Sequence, residues 1–278
     1  MISRRTSLLL IAPALVLMAV LFLTPLGYSL IWAFREEEAG RWGIGNFTKA
    51  WAFYSADILF SLVIVTLSAA LIGALSIAIA GYLTLGRSPR AVAVLRWLYR
   101  WPLFIPFVVA AQVMRTFLAK NGMMNNALVE MGLLTPFQTA SYLDWRGIVI
   151  TFVWKQTPFV TLLLAGAMAS LDRSMIESAQ NLGAKRLRIL FGIVVPQVAQ
   201  TLMVGLILSY VMMMSVLSVP MMINAQQPTM LTVDMAWRIN AYGDYGVANA
   251  LGFIAYLMTA CVAWGYLRKE LRDRTGEA

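Results

Sequence analysis

The residues of this 278-residue chain that could do chemistry are few, and they lie within long apolar stretches. The chain has no histidine, the residue that most often binds metals or acts as a base near neutral pH. Its one cysteine, Cys261, cannot close an internal disulfide. The G-x-x-x-x-G-K-[ST] loop that binds nucleotide phosphates is absent from the sequence. The sequence therefore predicts no catalytic residue, no metal site and no cofactor bound by this chain.

Six polar side chains interrupt the apolar stretches. Polar groups inside a membrane are costly, so we interpret them first as functional. They are Lys155, Gln156, Gln112, Arg115, Ser215 and Ser218. We predict that they contact a solute along a pathway. The alternative for Lys155 is that its long side chain reaches the outer interface or pairs with an acid of a partner subunit, and Arg115 could simply mark the outer membrane boundary.

The segment from Leu171 to Pro196 differs from the rest because it combines a helix signal with basic residues. Ser174 and Glu177 have the S-x-x-E spacing of a capping box, which predicts a helix start at Ser174. Met175, Ile176, Ala179 and Leu182 recur at helical spacing and predict one apolar face. Gly183 can end the helix in the left-handed conformation. We expect a short amphipathic helix, which could also lie in the lipid headgroups.

Composition indicates what surrounds these residues. Hydrophobic residues make up 60% of the chain and charged residues only 13%, whereas soluble domains have about 25% charged residues. We therefore predict an all-α integral membrane protein with one transmembrane domain over residues 1–278. The six predicted transmembrane helices cover residues 7–34, 58–85, 98–119, 147–171, 196–223 and 245–267, with the amphipathic segment in the loop 172–195 between helices 4 and 5.

The charged residues predict the orientation. If the amino terminus is inside, most Lys and Arg residues near the helix ends fall on the cytoplasmic side, which predicts that both termini are cytoplasmic. The first apolar run is too long for a signal peptide, so we expect a retained helix. No acid is predicted within a span. Those assigned to the outside are Glu36, Glu37, Glu38, Asp57, Glu130, Asp144, Asp234 and Asp244, and those inside are Asp172, Glu177, Glu270, Asp273 and Glu277.

The spacing within the fourth loop resembles that of a known family. Glu177-Ser178-Ala179, then Gly183 after three residues, and Ile193, Val195 and Pro196 after nine more resemble the E-A-A, G, I-x-L-P signature of bacterial ABC-importer permeases. Ser178 and Val195 are mild departures from this pattern.

The resemblance implies a multi-pass permease of the bacterial inner membrane that hydrolyses nothing itself. Two ATPase subunits, which bind ATP and Mg²⁺, would contact the short helices of two permeases, and an external binding protein would deliver the solute. The second permease would be a related distinct chain or a copy of this one, and no nucleic acid would be bound. The residues that would couple this chain to the ATPase are Ser174, Glu177, Ser178, Ala179, Gly183 and Ala184. Glu177 could instead only cap its own helix.

The solute class stays open between three possibilities. The segments Asn181–Ala184 and Ser215–Met222 look nearer to permeases of the spermidine/putrescine and ferric-ion type than to sugar permeases. The absence of acids from the predicted spans, together with Lys155, instead favours an anionic or zwitterionic solute such as a phosphonate. A sugar is the third.

Two rival functions follow from the membrane location alone. A secondary transporter would be expected to have inverted repeats and intramembrane acids, and the sequence indicates neither. A non-transporting scaffold would leave the signature segment without a role.

Overall fold

The computed structural model describes residues 4–36, 40–224 and 226–275. Glu37, Glu38 and Glu277, which the sequence assigned to sides of the membrane, lie outside these residues. The described chain is mostly helical, and the strand pairing within it is a two-residue antiparallel contact of β1 (Arg35–Glu36) with β2 (Arg41–Trp42).

Thirteen α-helices follow one another within the described residues, with short 3₁₀ and π turns between some of them. They are α1 (Arg4–Met18), α2 (Thr24–Phe34), α3 (Gly45–Leu85), α4 (Pro89–Leu98), α5 (Phe107–Leu118), α6 (Met123–Glu130), α7 (Trp145–Ala169), α8 (Arg173–Asn181), α9 (Arg186–Ile189), α10 (Val195–Ser215), α11 (Ser218–Ile223), α12 (Leu231–Tyr242) and α13 (Tyr245–Thr275). The π turns cover Ala19–Leu23 and Leu190–Val194, and the 3₁₀ turns cover Trp101–Phe104 and Pro136–Gln138.

Among the described residues, five helical stretches are long and apolar enough to cross a membrane. They are Ile11–Phe34, Gly45–Leu85, Trp145–Ala169, Arg186–Ser215 and Tyr245–Gly265. A sixth span results if the bent pair Pro89–Phe104 and Phe107–Glu130 crosses as one unit.

The helix predicted over residues 98–119 is not continuous. The chain bends by 108° between Phe104 and Phe107. Ile105 is extended, with φ −88° and ψ 122°, because the ring of the following residue, Pro106, disfavours the helical conformation there. Pro106 has no N–H to donate, so α5 begins after it. The third predicted span is therefore a broken one.

The helix predicted over residues 196–223 has different ends. The span begins ten residues earlier, at Arg186, and continues through the π turn into α10, which ends at Ser215. Pro220 cannot donate a hydrogen bond to the carbonyl of Val216, four residues before it. That carbonyl accepts a hydrogen bond from the Thr232 hydroxyl at 3.1 Å instead, and α11 forms a separate short helix.

The second helix is also longer than predicted. It begins at Gly45 rather than near residue 58 and contains 41 residues, with a local distortion at Tyr54. At 1.5 Å per residue it is about 60 Å long, roughly twice the thickness of the hydrocarbon core. Part of α3 therefore extends beyond the membrane and can carry polar residues.

The bundle core lies where α3, α7 and α10 pack together. Phe152 and Val160 of α7, Ile72 of α3 and Met213 of α10 are almost fully buried in one cluster. The Ser76 hydroxyl of α3 donates a hydrogen bond to the backbone carbonyl of α7 residue 157 at 3.3 Å. The first span packs on the outside, against α13. This arrangement places α8 against one end of the core.

Candidate functional site

The amino end of α8 is capped by a residue that the sequence pattern did not indicate. Asp172 occupies the N-cap, and its Oδ1 accepts a hydrogen bond from the backbone N–H of Ser174 at 2.9 Å. This hydrogen bond and a second from the Ser174 hydroxyl lower the pKa of Asp172. The sequence predicted Ser174 as the capping residue, and this was wrong. The N-cap lies two residues earlier, at Asp172, which accepts the hydrogen bond from the Ser174 amide. Glu177 is exposed and does not serve as the N-cap.

One large side chain fixes α8 to the bundle. Ile176 is only 9% exposed and belongs to a cluster with Leu164, Met168 and Ile189. Ala179 and Ala184 are partly buried against the same cluster. Their small side chains therefore allow α8 to approach its own bundle closely.

The end of α8 requires a glycine. Gly183 has φ +79°, in the left-handed region. The N–H of Leu182 donates to the carbonyl of Ser178 at 3.1 Å, and the N–H of Ala184 donates to that of Ala179 at 3.0 Å. These bonds satisfy carbonyls at the helix end and turn the chain into α9. The predicted role of Gly183 as a helix stop agrees with its conformation.

The outer face of α8 carries the other predicted coupling residues. Ser174, Glu177 and Ser178 are exposed. Leu182 is 89% exposed, although its spacing had predicted a place on the apolar face with Ile176. It lies outside that face because α8 ends at Asn181 and the chain turns away. Ser174, Glu177, Ser178 and Leu182 therefore form an exposed strip on and just after α8, which packs on the bundle through Ile176.

Two of the predicted solute contacts are buried inside the bundle. Lys155 Nζ donates to the carbonyl of Leu103 at 3.3 Å and lies 5.2 Å from the ring centroid of Phe107. Gln156 Nε2 lies 3.5 Å from the sulfur of Met212. Lys155 therefore interacts with the break before α5, where a backbone carbonyl lacks a helical partner. Lys155 is 8% exposed, and within the described residues it does not pair with an acid of this chain.

The other four candidates lie on α5, α10 and α11. Gln112 and Arg115 are exposed on α5, and Arg115 Nη1 donates to the carbonyl of Met222 in α11 at 3.1 Å. Ser215 is exposed at the end of α10, and its hydroxyl donates to the carbonyl of Val211 at 2.8 Å. Ser218 is half-buried at the start of α11. The six candidates are therefore divided between the core and the surface.

Sequence reasoning missed a buried acidic pair. Asp57 of α3 is 2% exposed and its Oδ1 accepts a hydrogen bond from the N–H of Thr229 at 2.7 Å. The Ser61 hydroxyl accepts from the N–H of Leu231 at 2.9 Å. Because Leu231 is the first residue of α12, α3 caps the start of that helix. The sequence had placed Asp57 on the outer side, just before the second span, whereas in the structure it lies within α3 and is buried.

The second acid of the pair is Asp234, in the first turn of α12. It is 4% exposed, and its Oδ2 has no hydrogen-bond partner among the described residues. Burial, with a smaller contribution from the charge of Asp57, raises its pKa to about 7. The sequence offered one indication that Asp57 belongs to a helix. Asp57 and Ser61 are four residues apart, which places them on the same face of a helix.

Residues 72–266 match the family described as binding-protein-dependent transport system inner membrane component. This chain belongs to that family. The matched region contains α8 and the complete signature segment, so the resemblance to ABC-importer permeases is confirmed. The chain is therefore an inner-membrane, multi-pass permease component. Asp57 lies before the matched region, whereas Asp234 lies within it.

Individual permeases support this membership over most of the chain. The sulfoquinovosyl glycerol transport system permease protein SmoG of Agrobacterium fabrum is 24% identical over 96% of this chain and 90% of its own length. The spermidine/putrescine transport system permease protein PotB of Haemophilus influenzae is 23% identical over 68% of this chain and 66% of its own length.

A solved permease chain has the same fold. It comes from a bacterial alginate ABC transporter in complex with an alginate pentasaccharide-bound periplasmic protein. The TM-score is 0.79, the sequence identity is 20%, and the match covers 95% of this chain and 93% of that one. The bent third span is thus part of a permease fold that matches over nearly the whole chain.

Proposed function

We propose that this chain is a permease subunit of an ATP-driven importer and that α8 is the helix through which a separate ATPase acts on it. The observation that carries the proposal is the docking of α8: Ile176 is buried in the bundle while Glu177 and Leu182 remain exposed. The ATPase chain would supply the ATP and Mg²⁺ sites, and two such chains would serve a pair of permeases.

The packing of α8 supports a mechanical role. Coupling between chains needs an element that moves as a unit, because a soft tether would absorb the motion. α8 is capped at its start by Asp172, ended by Gly183 and packed on α7 and α9 through Ile176. A force on its exposed strip is therefore transmitted to the ends of the spans. Ser174, Glu177, Ser178 and Leu182 are the side chains that we expect a partner to touch.

The number of crossings supports cytoplasmic termini. If the bent pair counts as one span, four spans precede α8 and two follow it. An even number of crossings returns the chain to the same side. Both termini would then share the side of α8, which is cytoplasmic if α8 binds an ATPase.

We further propose that the exposed surface of α5, α10 and α11 faces the pathway and the second permease. Gln112, Arg115 and Ser215 lie on this surface. Lys155 and Gln156 have intramolecular contacts in the bundle and are expected to stabilise it. The second permease is either a related chain or a second copy.

The solute is proposed to be small and polar. Relatives are named for sulfoquinovosyl glycerol and for spermidine and putrescine, so family membership does not select one class. An exposed cation, Arg115, on the proposed pathway surface favours an anionic or zwitterionic solute over a polycation. The buried Asp57 and Asp234 supply acids that the sequence had not placed in the bundle, and a sugar remains the third candidate.

Side-specific labelling of the assembled importer tests the role of α8. Glu177→Cys would be introduced with Cys261 replaced by serine, because Cys261 is exposed. We expect an impermeant maleimide to label it only from the cytoplasmic side, and the ATPase to protect it. Labelling from the outside, or no protection by a co-purified ATPase, would contradict the proposal. ATP-dependent uptake that needs no ion gradient would separate it from an ion-coupled transporter.

A further inference from the structure

A cavity of about 590 Å³ lies beside α8. Its walls come from the end of α3, the end of α4, the last turns of α7, α8 itself and the start of α9. It is partly open and is bordered by several elements rather than being a groove on one helix. We call it the arginine cavity, after the four arginines that line it.

The charges of the cavity are unbalanced. Arg96 and Arg100 of the α4 region, Arg173 of α8 and Arg186 of α9 line it, and Glu177 is the one acid among the described lining residues. Within the described part of the chain, Arg96, Arg173 and Arg186 form neither an ion pair nor a side-chain hydrogen bond. Arg100 Nε donates only to the Tyr99 hydroxyl, at 3.3 Å. Four arginines and one carboxylate therefore line the same space.

One wall of the cavity is apolar. Leu162, Ala165 and Ala169 line it on α7, and Leu162 is 40% exposed. The distance from residue 162 to residue 169 along a helix is about 10 Å, directed away from the arginines and into the span. A bound anion with an attached hydrocarbon chain would use both the basic end and this wall. An acidic side chain of a protein partner would use only the basic end.

We propose that the arginine cavity binds a phosphate group, and that its apolar wall favours the phosphate of an anionic phospholipid over a free phosphate ion. Arginine is suited to this ligand because its planar fork donates two parallel hydrogen bonds to phosphate oxygens. Basic pockets between transmembrane helices are known sites for anionic lipid headgroups. A lipid bound here would contact α4, α7 and α8 together and would therefore stabilise the docked position of α8.

The test counts the lipids that remain bound to the purified full-length chain. The chain would be released from micelles containing equal amounts of phosphatidylglycerol and phosphatidylcholine and analysed by native mass spectrometry. The cavity variant would be Arg96→Gln with Arg100→Gln and Arg186→Gln. The matched control would be Arg87→Gln, Arg90→Gln and Arg188→Gln, which removes the same charge from exposed residues that do not line the cavity.

We expect wild type and the control to retain phosphatidylglycerol, and the cavity variant to lose affinity by roughly fivefold per arginine removed. A charge-conserving variant that combines Arg96→Lys, Arg100→Lys and Arg186→Lys should restore part of the binding, because lysine keeps the positive charge but not the planar fork. Thermal unfolding of each variant in the same micelles shows whether it is folded.

A second arm separates the two sources of phosphate. Millimolar inorganic phosphate added in phosphatidylcholine alone should leave the chain without a bound adduct. Binding of inorganic phosphate that depends on Arg96, Arg100 and Arg186 would support the phosphate site but assign it to a soluble anion. Equal lipid loss in the cavity variant and the control would overturn the proposal. So would unchanged lipid retention with a specific loss of ATPase association, which would assign the arginines to a protein partner.

Discussion

The substitution Ile176→Ala tests the docking of α8 most directly. Ile176 is 9% exposed and is the one buried residue of α8. Removing three carbons from a buried isoleucine typically costs about 2–5 kcal/mol. Because this site lies at the edge of the bundle and can partly collapse, we expect about 2–3 kcal/mol. That corresponds to a decrease of roughly 30- to 150-fold in the ratio of docked to undocked α8.

The undocked state should also lose its helix. α8 has nine residues, whereas isolated helices shorter than about 12–15 residues are marginal in water. Hydrogen exchange of the backbone amides of residues 176–182 should therefore accelerate by roughly the same factor, while exchange in the α7 core should not change. The measurement is made on the purified full-length chain, so it does not depend on finding the partners.

The matched control is Met175→Ala, which removes a large apolar side chain from the neighbouring position. Met175 is 39% exposed, so its loss should change exchange little. In the assembled importer, Ile176→Ala should also raise the amount of ATP hydrolysed per solute transported, because force on a loose helix does not reach the spans. Equal exchange in the two variants would refute the docking argument.

Three further predictions concern the turn after α8 and the buried acids. Gly183→Ala should destabilise the end of α8 by about 1–2 kcal/mol because φ is +79° there. Its control, Gly166→Ala, lies at a helical site with open space and should not destabilise the end of α8. Equal rates of hydrogen exchange at the Ala184 amide in the two variants would contradict this prediction. Asp57→Ala should lower the unfolding temperature, because the buried N–H of Thr229 loses its acceptor at a cost of about 1–3 kcal/mol. Asp234→Asn should leave the unfolding temperature unchanged or raise it. A lower unfolding temperature in Asp234→Asn than in Asp57→Ala would disprove the roles given to the two acids. Since the pKa of Asp234 is raised to about 7, the native state binds more protons than the unfolded state between about pH 4 and 7. The free energy of unfolding should therefore fall as pH rises from about 4 to 7 and level off above 7. This dependence on pH should be weaker in Asp234→Asn, and an identical dependence in the two proteins would contradict the raised pKa.

The features that composition and local spacing determine were predictable. A chain that is 60% hydrophobic and 13% charged is a membrane protein on arithmetic alone. The signature from Glu177 to Pro196 identified the family, because its fixed positions lie in one contiguous segment. The stop at Gly183 was also predictable, since glycine is the residue that most readily adopts positive φ.

The errors arose where a distant contact decides the conformation. The sequence shows prolines at 106 and 220 but not whether a neighbour will satisfy the carbonyls left without a helical partner where the helices break. Thr232 satisfies the carbonyl of Val216, and Lys155 the carbonyl of Leu103, from other elements. Once such partners exist, the helix can break at low cost. Periodicity within one segment carries no information about them.

The burial of Asp57 and Asp234 was not predicted, for a related reason. A charge at the edge of an apolar stretch normally marks the membrane surface, which is why the sequence assigned Asp57 to the outer side, before the second span. In the folded chain, α3 continues well beyond its apolar stretch, and the N–H groups before and at the start of α12 fold back onto it. The buried carboxylate is tolerated because it accepts one of those donors.

The contacts of α8 also explain why one short helix can affect several spans. Ile176 contacts a cluster to which α3 contributes Ala80, α7 contributes Leu164 and Met168, and α10 contributes Val198. Because protein interiors are close-packed, a shift of α8 acts on the side chains that pack with Ile176 in this cluster, whereas the arginine cavity leaves space on the side of α8 that it borders. We expect such a shift to displace the ends of these three spans together. The same three helices form the core around Phe152, so a movement that starts at α8 reaches the centre of the bundle through side chains already in contact.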